Sequence, residues 1–230
     1  MLGLPAILLC GRRDGRALAR LRAHGIEPHC IYPERDADNP PRGCYEAHTL
    51  ALATALRNRW LPCVVLEDNL EVAPEFDANL LTSALTWALA QRPSIVHLSR
   101  RPLKSLVGQT EHPNVVRLHG TLDDGVAYVA TERTLAMWPE WRNQHFDQHI
   151  AQWSDRLAIY PMPFHRASVP SINRYHIGKD LSGRVVPSWL VNALMRTAPL
   201  YCRIGQHLDN WMFLFMLAMA VVAIAALRLR

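Results

Sequence analysis

Residues Leu61 to Val72 read LPCVVLEDNLEV. Cys63 to Leu66 is an apolar run of strand length with Pro62 before it and acids straight after it. A run without polar alternation marks a strand covered on both faces, as in the parallel sheets of α/β proteins. The acids Glu67 and Asp68 then fall at the carboxyl edge of that sheet, the edge at which open α/β sheets bind ligands. Carboxylates there suit a hard divalent cation, which would neutralise a diphosphate that the bare acids would repel. Alone, Glu67-Asp68-Asn69 reads better as a solvated turn, with Asp68 and Asn69 chosen for turn chemistry. Its neighbours decide.

Working outward, Ala6 to Cys10 is a short apolar strand broken by Gly11-Arg12-Arg13-Asp14-Gly15. Leu18, Leu21 and Arg22 follow at helical spacing, with Gly25 at the C-cap. Cys30 to Tyr32 reads as a second strand, Asp36 to Gly43 as a proline-broken loop, and Tyr45 to Arg59 as a helix. Downstream, Phe76, Leu80, Leu81, Leu85 and Leu89 mark a helix. Strands are expected at Ile95 to Leu98, Val115 to Leu118, Val126 to Ala130 and Leu157 to Tyr160. Short helices are expected at Glu132 to Trp138 and after Asp147. This alternation predicts a single α/β domain with a mostly parallel sheet covered on both faces.

The order of the motifs carries a resemblance. Gly43-Cys44-Tyr45-Glu46-Ala47-His48 precedes a helix, then Trp60-Leu61-Pro62 leads into VVLEDN, and Gly125-Val126-Ala127-Tyr128 follows later. Residues 5 to 175 so ordered resemble the lipopolysaccharide-type glycosyltransferases of family 25, which include the collagen galactosyltransferase domain. That family has a G-C-x-x-S-H block, a strand closed by L-E-D-D, and a later G-x-A-Y strand. The resemblance implies a Rossmann-like glycosyltransferase-A fold, a nucleotide-sugar donor with a UDP-sugar favoured, and a divalent cation, Mn²⁺ or Mg²⁺. Carried over by position, Glu67, Asp68 and Asn69 fall on the metal motif, while Gly43 and His48 fall on the first block.

Two positions depart from that pattern. Ala47 stands where the family has Ser, and Asn69 where it has the last Asp. Asn69 still offers a neutral oxygen, but the site loses one negative charge, which weakens a hard-cation site. The same departures keep open an inactive relative that binds a sugar nucleotide or a partner as a membrane scaffold.

Five further positions have both a functional and a plain reading. His48 contacts donor phosphate or acceptor, or caps local groups at a helix start. Asp147 is the general base for the acceptor hydroxyl, or caps the helix that it opens. His165 is a third metal ligand, or one of 11 histidines with no special role. Arg12 and Arg13 meet donor phosphates, or are solvated loop residues.

The net charge is +5, which admits nucleic acid, anionic membrane or phosphate-bearing partners. The arginines are scattered and no nucleic-acid signature occurs, so nucleic acid ranks last. The five cysteines are odd in number and lack a CxxC pair, against a disulfide framework and a structural zinc site; most read as small buried hydrophobes in a reducing cytoplasm. Trp211 to Leu227 contains no charge, and its seventeen residues at helical rise span about 25 Å. The expected division is a catalytic domain over 1–175, an amphipathic tail over 176–208, and a transmembrane or re-entrant anchor over 209–230. Such a chain would sit on a membrane with its catalytic domain cytoplasmic, acting on a glycolipid or lipopolysaccharide-type acceptor.

Overall fold

In a computed structural model, the structure describes residues 3–11, 15–34, 36, 38–73, 76–99, 106–119, 126–142 and 146–166. Strand β1 (Ala6–Leu9) is followed by α1 (Arg16–Ala23), β2 (His29–Ile31), α2 (Pro40–Arg57) and β3 (Cys63–Glu67). Then come β4 (Leu70–Val72), α3 (Ala78–Ala90), β5 (Ile95–His97), β6 (Leu106–Gln109), β7 (Val115–His119) and β8 (Ala127–Ala130). The chain continues through α4 (Glu132–Ala136), α5 (Phe146–Ile150), β9 (Arg156–Ile159) and β10 (Phe164–Arg166).

Eight strands form one sheet in the order β2-β1-β3-β8-β5-β9-β7-β6. Six run one way; β7 and β8 oppose them. The expected mostly parallel α/β architecture is present, with β8 inserted antiparallel between β3 and β5. A small antiparallel sheet pairs β4 with β10.

Residues of β1, β3 and β8 alternate between two apolar layers. Leu8, Val64, Leu66 and Val129 pack with Leu21 of α1 and with Leu81 and Leu85 of α3 on one face. Ile7, Leu9, Val65 and Tyr128 pack with Ala51, Leu52 and Ala55 of α2 and Phe146 of α5 on the other.

One expectation is corrected at the front of α2. The segment read as a loop to Gly43 is helical from Pro40, because Asn39 caps it by accepting from the Arg42 N–H. Proline there costs little: the first-turn N–H groups lack helical partners in any case. The strands β4, β6 and β10 were not anticipated from the sequence.

Candidate functional site

The site grows from the parity of β3. Cys63, Val65 and Glu67 project to the α2 face, and the register sets Leu9 beside Glu67 and Tyr128 beside Val65. Glu67 thus leaves the end of a central strand toward the helix that carries Cys44 and His48. Its N–H donates to the Val126 carbonyl at 2.8 Å, tying the acid to the start of β8.

His48 is 1% exposed and sits mid-helix, two turns beyond the position a helix-start cap would take. Its Nδ1 lies 2.9 Å from the Tyr128 hydroxyl and its Nε2 lies 3.2 Å from Glu67 Oε1. The Phe146 ring packs on the imidazole at 4.0 Å between centroids. Both ring nitrogens are thereby engaged, so His48 orients Glu67 and sits behind it. Tyr128 is fully buried, and burial first, then electrostatic interaction with Cys63, Glu67, Cys44 and Asp147, holds its phenol well above the ordinary range. It therefore stays a neutral hydroxyl that fixes the imidazole.

Cys44 stands four residues before His48 on the same helical face. Its Sγ, one His48 ring nitrogen and a Glu67 oxygen all lie within 4.8 Å of one another. Cys44 and Glu67 are partly exposed and His48 is buried, so the group opens to one side. The other cysteines differ. Cys63 is pushed up to about 12 by burial alone. Cys10 is pushed up to about 12 by burial, then by Cys30 and the charge of Asp68. Both remain protonated core thiols, as the sequence led us to expect.

Asp68, one residue past the strand, influences Cys10, which belongs to the opposite layer from Glu67's neighbours. Its N–H donates to the Leu9 carbonyl at 3.1 Å. The two adjacent acids thus serve different neighbourhoods around one strand end. Asn69 Oδ1 is buried and accepts no hydrogen bond from the described residues. An orphaned oxygen of that kind is what a hard cation at the turn would satisfy, so the residues present fit such an ion.

The remaining expected residues are placed as follows. Gly43 lies in the first turn of α2, where a Cβ would meet the Asp36 backbone nitrogen at 2.9 Å. That close approach gives the glycine a packing reason of its own. Asp147 lies in the first turn of α5 beside Phe146, within electrostatic reach of Tyr128. His165 lies in β10 opposite Glu71, which brings its backbone next to the strand that follows the acidic turn. Arg12, Arg13 and the tail from 176 to 230 lie outside the described residues. Among the described residues no helix is long and apolar enough to cross a membrane.

Sequence reasoning gave no role to Cys44, Tyr128 or Phe146. The i,i+4 spacing of Cys44 and His48 was the available signal, and it becomes readable once the helix is known to start at Pro40.

No family model matches the chain. No curated protein matches it either. Among solved structures, the mannose-1-phosphate geranyltransferase of Thermus thermophilus aligns at 15% identity and a TM-score of 0.41. The alignment covers 69% of this chain and 59% of that one. A likeness of that depth carries no argument about function.

Proposed function

We propose that this chain is a glycosyltransferase that moves a sugar from a nucleotide-sugar donor, a UDP-sugar by preference, to a glycolipid or lipopolysaccharide-type acceptor at a membrane face. The observation that carries the reading is Glu67 at the carboxyl end of a central strand, held from behind by His48 and Tyr128. A preorganised carboxylate at a sheet's ligand-binding edge is costly to build and is what a diphosphate-bound cation requires. The order of the G-C-x-x-A-H, L-E-D-N and G-x-A-Y motifs supports the same reading.

Glu67, Asp68 and Asn69 would hold a Mn²⁺ or Mg²⁺ ion, with His165 as a further donor, and Arg12 and Arg13 would meet phosphate. The ion, when bound, supplies positive charge that stabilises the departing diphosphate. Asp147 accepts the proton of the acceptor hydroxyl as its oxygen bonds to the anomeric carbon and the bond to diphosphate breaks. His48 keeps Glu67 oriented. The segment 209–230 anchors the enzyme and raises its effective concentration at the acceptor's surface.

A donor screen tests this. Full-length protein is incubated with UDP-sugars and Mn²⁺ or with chelator, and released UDP is measured. Metal-dependent release that is lost in Asp68→Ala is expected. Unchanged turnover in that variant would refute the site, and binding without turnover across acceptors would favour the inactive scaffold.

A further inference from the structure

We infer that Cys44, His48 and Glu67 form a binding site for a soft divalent transition metal, zinc by its donor set. Thiolate, imidazole and carboxylate are the three side-chain types that bind zinc, whereas magnesium and manganese favour oxygen alone. The inference stands on the side chains themselves and does not depend on glycosyl transfer.

Geometry favours it in three respects. First, with metal–ligand bonds of about 2.0 to 2.3 Å, ligand atoms around a tetrahedral ion stand about 3.3 to 3.8 Å apart. His48 Nε2 and Glu67 Oε1 are 3.2 Å apart already, and all three ligand atoms lie within 4.8 Å. A contraction of about an ångström, within reach of the partly exposed Cys44 and Glu67 side chains, completes the set. Second, the imidazole has the support that metal-binding histidines have. Its Nδ1 meets the buried Tyr128 hydroxyl and Phe146 packs on the ring, so an ion would have to displace only the contact between Nε2 and Glu67, itself a ligand. Third, three protein ligands with one open side leave a fourth position for water or a substrate oxygen, as in catalytic zinc sites.

The supporting frame is rigid. Cys44 and His48 share one face of α2, while Glu67 is bound into the sheet through Val126. Ligands spread over an element and its neighbour in this way keep their spacing when no ion is bound. Glu67 is common to this site and to the acidic turn, so a soft ion here and a hard ion there would compete for its carboxylate.

Cobalt provides the probe, because a cobalt–thiolate bond gives a near-ultraviolet charge-transfer band that oxygen and nitrogen ligands do not. Full-length protein is titrated with Co²⁺ and then back-titrated with Zn²⁺. One equivalent is expected to produce the band, and zinc to abolish it. The band should be absent in Cys44→Ser and retained in Cys30→Ser. Tyr128→Phe should keep the band but weaken zinc binding by about 10- to 100-fold, the usual effect of losing a ligand's orienting partner. Thermal melts in chelator show whether each variant folds, and Glu67→Gln gives a second test if Cys44→Ser does not. Stabilisation by zinc but not by magnesium supports the site. Absence of the band in the wild type, or its persistence in Cys44→Ser, overturns the inference. These readings need no sugar donor, so they stand or fall separately from turnover.

Discussion

At the scale of residues, the site depends on one hydroxyl. Tyr128 lies 80 positions from His48 in sequence and meets it only because β8 inserts beside β3. Replacing it with Phe keeps the ring and its packing but leaves His48 Nδ1 buried without a partner. An orphaned buried polar group costs about 1 to 3 kcal/mol. Tyr128→Phe should therefore lower the stability read from urea melts by that amount, through a lower midpoint with an unchanged m-value. A midpoint equal to wild type would show that the contact contributes nothing. The sequence exposes Glu67 and His48 as motif residues, because a strand end and a helix face are local features. It cannot expose Tyr128 as their partner, because that contact follows from the sheet register, which is long-range.

At the scale of elements, the strands legible in sequence are those with apolar runs bounded by turn residues. CVVL, AILL and AYVA fall on β3, β1 and β8 within a residue or so. The three strands that escaped reading, β4, β6 and β10, have three or four residues each. Length alone did not hide them, since β1 and β8 have four residues too; LEV, LVGQ and FHR are broken by charged or polar residues or by glycine, so no apolar run registers. The front of α2 was missed for a different reason: Pro40-Pro41 reads as a breaker, although a helix tolerates proline in its first turn. Gly43 in that turn gives a test with opposed terms. Alanine gains about 1 kcal/mol over glycine from helix propensity. Its Cβ would meet the Asp36 nitrogen at 2.9 Å and the Asp36 Cβ at 3.1 Å, at the turn that precedes α2. Asp36 Oδ1 fixes that turn by accepting from the Asn39 N–H at 2.7 Å and the Asp38 N–H at 3.1 Å. Overpacking of this kind costs about 1 to 3 kcal/mol, so Gly43→Ala should lower the melting temperature. A higher melting temperature would mean that the turn gives way freely and that the glycine is not there for space.

At the scale of the whole molecule, the two apolar layers pack on opposite faces of one sheet, and small single domains usually unfold all-or-none, so a titrating group buried in either layer is expected to affect global stability. His149 of α5 is such a group: it is 8% exposed, and its Nε2 is buried without a hydrogen-bond partner among the described residues. Burial first, and then the Arg142 charge, lowers its pKa from the ordinary value of 6.5. The folded state therefore resists protonation that the unfolded chain accepts. Between the folded and unfolded values the unfolded chain binds more protons, so stability rises with pH across that window. His149 thus contributes stability that is present above about 6.5 and is lost as pH falls through the lowered value. His149→Leu removes the titration and the orphaned nitrogen while filling a comparable apolar volume. Denaturant melts at a series of pH values should show a smaller loss of stability on acidification in the variant, with neutral-pH stability equal to or above wild type. If the two curves keep the same separation from about pH 7 to about pH 5, a span that brackets the ordinary histidine value, protonation of His149 does not limit the acid stability of the fold, and the acid sensitivity must come from other titrating groups.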